Sequence, residues 1–279
     1  MKERAYAKIN LSLDVFNIRE DGYHELSSIM LPIEFYDELE IDIADEDSFD
    51  CSRRFIRWNE KNSIHKMISL LKEKYDIHDH YRIALKKMVP TQAGLGGGTA
   101  DAAATLRIFE RLYGLKPSRD EIISICAKVG ADVPFNYFNV PAIVSGIGDG
   151  IEPFRLKKPY YILLAKPRSG VSTKEAYDNL DMQVCDHPDI QALRKALENG
   201  DPIKGLLGNS LEQPAFLLNK DILKVKELLK SFDSGEVLMS GSGSTVFCIS
   251  EDRPKIAALF DALKGNDLYL RFTKTLELK

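Results

Sequence analysis

The stretch Val89-Pro-Thr-Gln-Ala-Gly-Leu-Gly-Gly-Gly-Thr-Ala-Asp-Ala-Ala-Ala-Thr-Leu106 places four glycines within five positions, directly before an alanine-rich run. Because glycine lacks a Cβ atom and tolerates positive φ, the backbone amides of these residues can converge on anionic oxygens. The alanine-rich run predicts a helix that starts near Thr99, whose free N-terminal amides and positive dipole end also favour an anion. The stretch therefore predicts a phosphate-binding loop, formed by Gly94, Gly96, Gly97 and Gly98.

This loop differs from the two commonest nucleotide-binding patterns. No Gly-Lys-Ser/Thr follows the glycines, as a Walker A loop would require, and Thr99 stands where G-x-G-x-x-G needs its third glycine. A flexible linker is also a poor match, because linkers are rich in serine and polar residues and do not continue into strong helix formers.

Length and composition exclude several classes of protein. The 279 residues are 44% apolar, which is enough to bury the core of one large domain or of two lobes. No segment approaches the roughly 18 uninterrupted apolar residues of a membrane helix, and the N-terminus has no apolar signal region, so we expect a cytoplasmic protein without a membrane partner. The formal charge of −4, with dispersed basic residues, argues against nucleic acid as a partner. The four cysteines are far apart, so we expect reduced thiols and no metal site.

Near the N-terminus, apolar and polar residues alternate from Ala5 to Val15, which predicts a half-buried strand. Lys8 and Asn10 share one face of this strand, and by default such a face is the solvated side of a sheet. A turn follows that presents Tyr23 and His24. Such a pair is more often structural than functional, although aromatic and imidazole side chains on a loop can stack on or hydrogen-bond a base.

The rest of the chain mixes helical and strand patterns. Ser118 begins a capping box, and Pro134 is expected to keep Val133 out of helical geometry, which leaves Asp132 on a rigid connection to the next strand. The default role of such an aspartate is a turn or a cap. Ser172 or Thr173 caps a helix bearing Tyr177, and the chain ends in a β-β-α-β pattern around a tight Gly-Ser loop. We therefore predict an α+β fold.

Together these features resemble the GHMP kinase superfamily. The matching segments lie in family order and span nearly the whole chain: Ala7-Lys-Ile-Asn-Leu-Ser12, Pro90 to Ala103, Gly130-Ala-Asp-Val-Pro134 and Met239 to Phe247. Other segments are similar to those of one branch, the 4-diphosphocytidyl-2-C-methyl-D-erythritol kinases of non-mevalonate isoprenoid biosynthesis: Asp21 to Leu26, Gly146-Ile-Gly148, Lys166 to Thr173 and Asn209-Ser-Leu-Glu212.

The resemblance implies a two-lobe GHMP kinase fold. An N-terminal ATP-binding α/β lobe would comprise residues 1–155, and a C-terminal ferredoxin-like βαβ lobe would comprise residues 156–279, with the substrate in the cleft between them. It also implies transfer of the ATP γ-phosphoryl group, with Mg²⁺, to the 2-hydroxyl of the erythritol moiety. For the chain itself we expect a monomer or a weak homodimer.

The resemblance also assigns roles to individual residues. Asp132 matches the catalytic aspartate that accepts the hydroxyl proton, and Lys8 matches the lysine that supports that centre electrostatically, which is what an alcohol nucleophile requires at neutral pH. The nucleotide-binding matches are Asn62, Lys87, Pro90, Gly94, Leu95, Gly96, Gly97, Gly98 and Thr99. The substrate-binding matches are Asn10, Tyr23, His24, Tyr177, Gly241, Ser242 and Gly243.

Several positions depart from the family pattern. Thr91-Gln92 replaces small residues after the loop proline, Thr99-Ala100 replaces Ser-Ser, and Gly148-Asp149-Gly150 replaces Gly-Glu-x. Two alternatives therefore stay open at this point: a GHMP kinase for another small alcohol, such as homoserine or a mevalonate derivative, and a catalytically weak binding or regulatory paralogue.

Overall fold

The computed structural model describes residues 1–20, 22 and 24–277. The strands are β1 (Lys2–Ile18), β2 (His24–Ala44), β3 (Ser48–Cys51), β4 (His80–Lys86), β5 (Ala142–Gly146), β6 (Gly150–Pro153), β7 (Tyr161–Lys166), β8 (Glu236–Met239), β9 (Val246–Ser250) and β10 (Tyr269–Lys274). The helices are α1 (Ser63–Tyr75), α2 (Gly97–Tyr113), α3 (Arg119–Ala127), α4 (Val133–Phe138), α5 (Thr173–Asp178), α6 (Ile190–Asn199), α7 (Glu212–Leu218), α8 (Lys220–Lys230) and α9 (Arg253–Leu263). The α+β class is confirmed. No helix in the described ranges combines the length and the apolar character that crossing a bilayer requires.

The chain forms two compact units, each assembled from three ranges. Unit 1 comprises Met1–Ala7, Phe35–Thr91 and Gly96–Asn139. Unit 2 comprises Lys8–Glu34, Gln92–Leu95 and Val140–Lys279. The long strands β1 and β2 and the glycine loop each contribute to both units, and the sequence boundary at residues 155 and 156 stays a prediction.

Unit 1 packs helices on a small mixed sheet. The C-terminal half of β2 pairs antiparallel with β4, and β3 pairs parallel with β4. Helix α1 buries residues that recur every three to four positions, and it packs them against the alanine-rich helix α2. The small alanines let the two helices approach closely, and the shared core includes Ile64, Met67, Leu71, Ala103, Leu106 and Phe109.

Unit 2 contains an antiparallel sheet in the order β10-β7-β9-β8. When the intervening helices α5, α6 and α7 are set aside, the order β7-α8-β8-β9-α9-β10 follows the ferredoxin-like β-α-β-β-α-β plan. The predicted β-β-α-β ending is therefore confirmed. Helices α8 and α9 contact strands of this sheet, and their buried residues include Ile222, Val225, Ile256 and Leu259.

The solvated face predicted for β1 is wrong. Side chains on both faces of β1 are buried from Ala7 to Leu13, including Lys8, Asn10 and Ser12, which are 3%, 1% and 0% exposed. Alternation identified the strand but not its surroundings. The polar face is buried because hydrogen-bond partners from distant segments cover it, as the site shows.

The predicted extended connection after Asp132 is also wrong. Residue Asp132 has αR geometry (φ −84°, ψ −7°) and immediately precedes α4, with Pro134 in the first turn of the helix. Proline is tolerated there because the first-turn amides have no intrahelical acceptor, so its missing N–H costs no helical hydrogen bond. Its restriction on Val133 is a preference that this short helix overrides.

Candidate active site

In unit 1 the glycine loop ends in an uncapped helix N-terminus. Helix α2 begins at Gly97, two residues before the predicted start, and Gly96 precedes it with φ +65°. The amide of Ala100 donates to the carbonyl of Gly96 at 2.8 Å. The amides of Gly97 and Gly98 come before this bond in the chain, so they have no acceptor within the helix. No side chain of the described residues caps this end. An anion can therefore accept hydrogen bonds from these amides.

Gly97 leaves little space for a side chain. A Cβ atom there would lie 3.0 Å from Cγ1 of Val89 and 3.1 Å from Nζ of Lys87. Both atoms belong to the segment that leads into the loop, and the lysine is held by a buried network. A glycine at position 97 therefore lets the first turn of α2 pack closely against this segment.

A buried ion network fixes that segment. Nζ of Lys87 lies 2.5 Å from Oδ2 of Asp37 and 2.6 Å from Oδ2 of Asp101, and all three side chains are at most 4% exposed. Burial alone would lower the pKa of Lys87, but the carboxylates of Asp101 and Asp37 raise it, so the ammonium stays charged. Burial, together with the neighbouring Asp37 carboxylate, raises the pKa of Asp101 to about 7, although Lys87 opposes the shift.

Asp37 also holds the backbone that enters the loop. Its Oδ1 accepts the amide of Met88 at 2.5 Å and the amide of Val89 at 2.8 Å. Asp101 belongs to the second turn of α2, and its Oδ1 is a buried oxygen without a hydrogen-bond partner. The network therefore links β2, the loop entrance and α2. We call Lys87, Asp37 and Asp101 the charged network.

A cavity of about 320 Å³ in unit 1 is lined by members of this network and by the start of α1. Asn62, Lys87 and Gly98 line it, so the structure brings these three sequence predictions together. Asn62 is the N-cap of α1, where its Oδ1 accepts the amide of Ile64 at 2.9 Å. The hydroxyl of Ser63 donates to the carbonyl of Gly98 at 2.6 Å, which ties α1 to the loop.

Asp132 is half-buried in the same unit. A Cβ atom on Gly130 would lie 3.4 Å from Cγ2 of Thr99, so the turn carrying Asp132 packs beside the first turn of α2. From α4, Nδ2 of Asn136 donates to the carbonyl of Gly96 at 3.4 Å. Unit 1 thus holds the aspartate predicted to be catalytic beside the uncapped helix end.

In unit 2, Lys8 and Asn10 begin a chain of buried hydrogen bonds. Nζ of Lys8 donates to Oδ1 of Asn10 at 2.6 Å, and Nδ2 of Asn10 donates to the hydroxyl of Ser28 at 2.9 Å. That hydroxyl donates to the carbonyl of Ser12 at 2.6 Å. We call Lys8, Asn10 and Ser28, together with the Ser12 carbonyl, the amide–hydroxyl chain.

The first part of the glycine loop contacts the same strand. The amide of Lys8 donates to the carbonyl of Leu95 at 3.0 Å. The hydroxyl of Ser240 accepts the amide of Asn10 at 3.2 Å and donates to the carbonyl of Gly94 at 2.9 Å. A Cβ atom on Gly94, where φ is +70°, would overlap the carbonyl oxygen of Ser240, so only glycine fits.

The predicted substrate-binding residues that the structure describes also lie in unit 2. A Cβ atom on Gly241 would lie 3.2 Å from Oδ1 of Asn10, so the Gly-Ser turn packs beside that side chain. The rings of His24 and Tyr177 are 5.0 Å apart between centroids and inclined by 50°. The hydroxyl of Ser242 is 2.8 Å from that of Thr173, the first residue of the helix bearing Tyr177. Gly243 follows in the same turn, and Tyr23 lies outside the described residues.

Four polar residues of these networks were missed in the sequence: Asp37, Asp101, Ser28 and Ser240. Asp101 gave a signal, because a carboxylate within an alanine-rich helix that is otherwise buried needs a partner. Ser28 and Asp37 gave none. The hydrogen-bond partner of Ser28 is 18 positions away along the chain, and that of Asp37 is 50 positions away. Alternation along β2 predicts which residues share a face of the strand, but it does not predict which segments cover that face.

Two family models match the chain. The GHMP kinases N terminal domain matches residues 62–146, and the GHMP kinases C terminal domain matches residues 182–267. The chain belongs to the GHMP kinase family. Both matched ranges contain predicted motifs, since the first includes the glycine loop with Asp132 and the second includes the Gly-Ser turn.

Curated relatives of the chain identify its branch of the GHMP kinase family. A curated protein of Bacillus cytotoxicus, named 4-diphosphocytidyl-2-C-methyl-D-erythritol kinase, is 38% identical over 266 residues, which cover 94% of this chain and 92% of that relative. A protein of Bacillus velezensis with the same name is 38% identical over 267 residues, with the same coverage of both chains. The chain therefore belongs to the branch that the sequence resembled.

Solved structures of GHMP kinases have the same fold as this chain. A crystal structure of 4-(cytidine 5'-diphospho)-2C-methyl-D-erythritol kinase superposes with a TM-score of 0.83 at 29% identity, covering 99% of this chain and all of that one. A homoserine kinase from Cytophaga hutchinsonii gives a TM-score of 0.68 at 17% identity, covering 97% of this chain and 94% of that one. The second likeness shows the shared fold alone.

Proposed function

We propose that this GHMP kinase transfers the γ-phosphoryl group of ATP to the 2-hydroxyl of 4-diphosphocytidyl-2-C-methyl-D-erythritol, a step of non-mevalonate isoprenoid precursor biosynthesis. The observation that carries this function is the 38% identity, over 94% of the chain, to relatives named for this activity. Lys8 and Asp132, the two groups that the chemistry most needs, are both present.

The chain's own residues would act mainly by positioning and by charge. Asp132 accepts the proton of the attacking hydroxyl, because an alcohol is a poor nucleophile at neutral pH. The ammonium of Lys8 stabilises negative charge on the substrate oxygens, and the hydrogen bond from Lys8 to Asn10 restricts where that ammonium lies. The remaining barrier to phosphoryl transfer is lowered chiefly by alignment and charge neutralisation.

ATP would be held in unit 1. The uncapped amides of Gly97, Gly98 and Thr99 suit its phosphates, and the cavity lined by Asn62 and Lys87 suits the rest of the nucleotide. Ala100, which replaces the family serine, is 1% exposed and belongs to the core of unit 1, so this departure leaves those amides unchanged. That placement favours an active kinase over a weak paralogue.

Mg²⁺ would neutralise charge on the phosphates of ATP, which in such sites bind the ion together with waters and carboxylates. The Thr99 hydroxyl beside the helix end fits such an ion, because it offers an oxygen ligand. The Thr99 hydroxyl donates its proton to the carbonyl of Gly96 at 2.8 Å, so its lone pairs stay available.

The cytidine base would be recognised in unit 2. His24 and Tyr177 lie in contact, and an aromatic ring stacked on a base contributes about 1–3 kcal/mol in single-strand binders. Tyr177 is partly buried and also packs against the core of unit 2, so it has a structural role as well. Tyr23 keeps its proposed place in this pocket from the resemblance alone.

An ADP-release assay on a panel of alcohols tests the function. The panel contains the cytidylyl alcohol, homoserine and mevalonate, each with ATP and Mg²⁺. We expect turnover with the cytidylyl alcohol and none above background with the others. Turnover with homoserine or mevalonate alone would replace this substrate with another within the family, and no turnover with any alcohol would favour the binding paralogue.

A further inference from the structure

Ser28 lies on β2 and is fully buried, with 0% exposure. Its hydroxyl has one proton, which it donates to the carbonyl of Ser12 at 2.6 Å. A carbonyl carries no proton of its own, so the direction of this bond is fixed. The remaining lone pairs of the Ser28 oxygen can therefore only accept.

The donor that they accept is Nδ2 of Asn10, at 2.9 Å. The two ends of a side-chain amide have similar shapes but opposite chemistry, since the nitrogen donates two hydrogens and the oxygen only accepts. With the nitrogen directed at Ser28, the oxygen is directed at Nζ of Lys8, 2.6 Å away. The reversed amide would place donor hydrogens against an ammonium and leave the Ser28 oxygen facing another oxygen.

Water cannot easily take over these bonds, because Asn10 is 1% and Lys8 is 3% exposed. A second serine, Ser240, holds the backbone amide of Asn10 but does not contact its side chain in this chain of bonds. Ser240 therefore holds the strand backbone at Asn10, whereas Ser28 accepts from Nδ2 and so favours the same amide orientation as the donor-only ammonium of Lys8.

We propose that Ser28 is a positioning residue for phosphoryl transfer, whose hydroxyl sets the Asn10 amide so that its oxygen receives the Lys8 ammonium. The proposal rests on the role given to Lys8 under Proposed function. Ser28 does not touch the reacting groups and acts through Asn10.

The test compares three single variants. Ser28→Ala leaves Nδ2 of Asn10 without its acceptor, and we expect kcat to fall about tenfold to a hundredfold, the range set by leaving one buried donor unsatisfied, with KM for ATP little changed. Ser28→Thr keeps the hydroxyl and should restore most of the kcat. Ser12→Ala is the matched control, because it removes a hydroxyl that is equally buried on the paired strand and accepts the Ile29 amide at 3.3 Å, while its carbonyl stays.

A double-mutant cycle separates positioning from general stability. In an Asn10→Ala background, Ser28→Ala should cost no further kcat, because there is no amide left to orient. Any of three results would overturn the proposal. The first is a wild-type kcat in Ser28→Ala, and the second is a loss of kcat in Ser12→Ala as large as that in Ser28→Ala. The third is full additivity of the kcat losses of Ser28→Ala and Asn10→Ala. If Ser28→Ala does not fold, Ser28→Cys takes its place, since a thiol is a weaker acceptor than a hydroxyl, and wild-type kcat in that variant would be equally contradictory.

The cycle uses whichever alcohol of the panel the wild-type chain phosphorylates. Rejection of the cytidylyl alcohol would therefore contradict the proposed substrate and leave the role of Ser28 to be decided by the cycle.

Discussion

The two units hold their proposed site residues with networks of different chemistry. In unit 1 the charged network places one ammonium between two carboxylates, and all three groups are at most 4% exposed. In unit 2 the amide–hydroxyl chain connects Lys8 to a backbone carbonyl through the neutral groups of Asn10 and Ser28. The first network ties segments of the chain together, whereas the second orients one side chain.

The difference predicts different costs of disruption. Removing one member of a buried ion network leaves an uncompensated charge, and this costs far more than the intact network contributes. Removing a neutral hydroxyl leaves one unsatisfied donor, whose cost is smaller. Variants of the charged network should therefore lower stability first, and variants of the amide–hydroxyl chain should lower kcat first.

The largest effect is expected for Lys87→Met. The carboxylates of Asp37 and Asp101 would remain buried without their cation, and we expect the free energy of unfolding to fall by about 3–5 kcal/mol. Urea denaturation measures it. Lys86→Met is the matched control, because the Lys86 side chain is 60% exposed and its ion pair with Glu38 is long, at 3.4 Å, so about 1 kcal/mol or less is expected. Equal losses in the two variants would remove the distinction between a buried and an exposed ion pair.

Gly97→Ala tests whether the charged network and the nucleotide site are coupled. The new Cβ atom would press on Val89 and on the Lys87 ammonium, so either the helix end or the network must move. We expect the Kd for ATP to rise about tenfold, equivalent to the loss of about one hydrogen bond to charged phosphate. Calorimetric titration measures it. Gly98→Ala is the comparison, because its Cβ would lie 3.4 Å from Oγ of Ser63, an ordinary contact, and a rise as large as that for Gly97→Ala would contradict the steric account.

Asp101→Asn should change how stability depends on pH. The pKa of Asp101 is raised from 3.8 to about 7, so between these values the folded state holds a proton that the unfolded state has released. Stability from this group therefore falls as pH rises from about 4 to about 7, by at most about 1.4 kcal/mol per pH unit. The variant lacks this loss, so its stability relative to wild type should rise across the same window and then level off. A difference that is constant from pH 5 to pH 8 would contradict the shift.

Local sequence patterns predicted most of the elements. The alanine run predicted the start of α2 to within two residues, and Ser118 caps α3 as expected, accepting the amide of Glu121 at 3.2 Å. The alternation in β1 gave the strand. These features depend on neighbouring residues, so a single sequence is sufficient to identify them.

Tertiary features were not predictable in the same way. Burial of both faces of β1 depends on Ser28 and on Ser240, which is 230 positions from Asn10. The helical start after Asp132 overrode a local preference of the residue before Pro134. The roles of Lys8 and Asp132 came from family resemblance, because a lysine on a strand and an aspartate in a turn are ordinary by themselves.

The most direct test of the kinase mechanism is the turnover of Asp132→Asn. The substitution removes the proton acceptor and keeps the shape of the turn beside α2, so kcat should fall on the order of 10²-fold or more. The Kd for ATP should change little, since the uncapped amides of α2 are retained. Measuring both on one folded preparation decides the matter: a large loss of kcat with intact ATP binding is the expected result, and near-normal turnover would contradict Asp132 as the base.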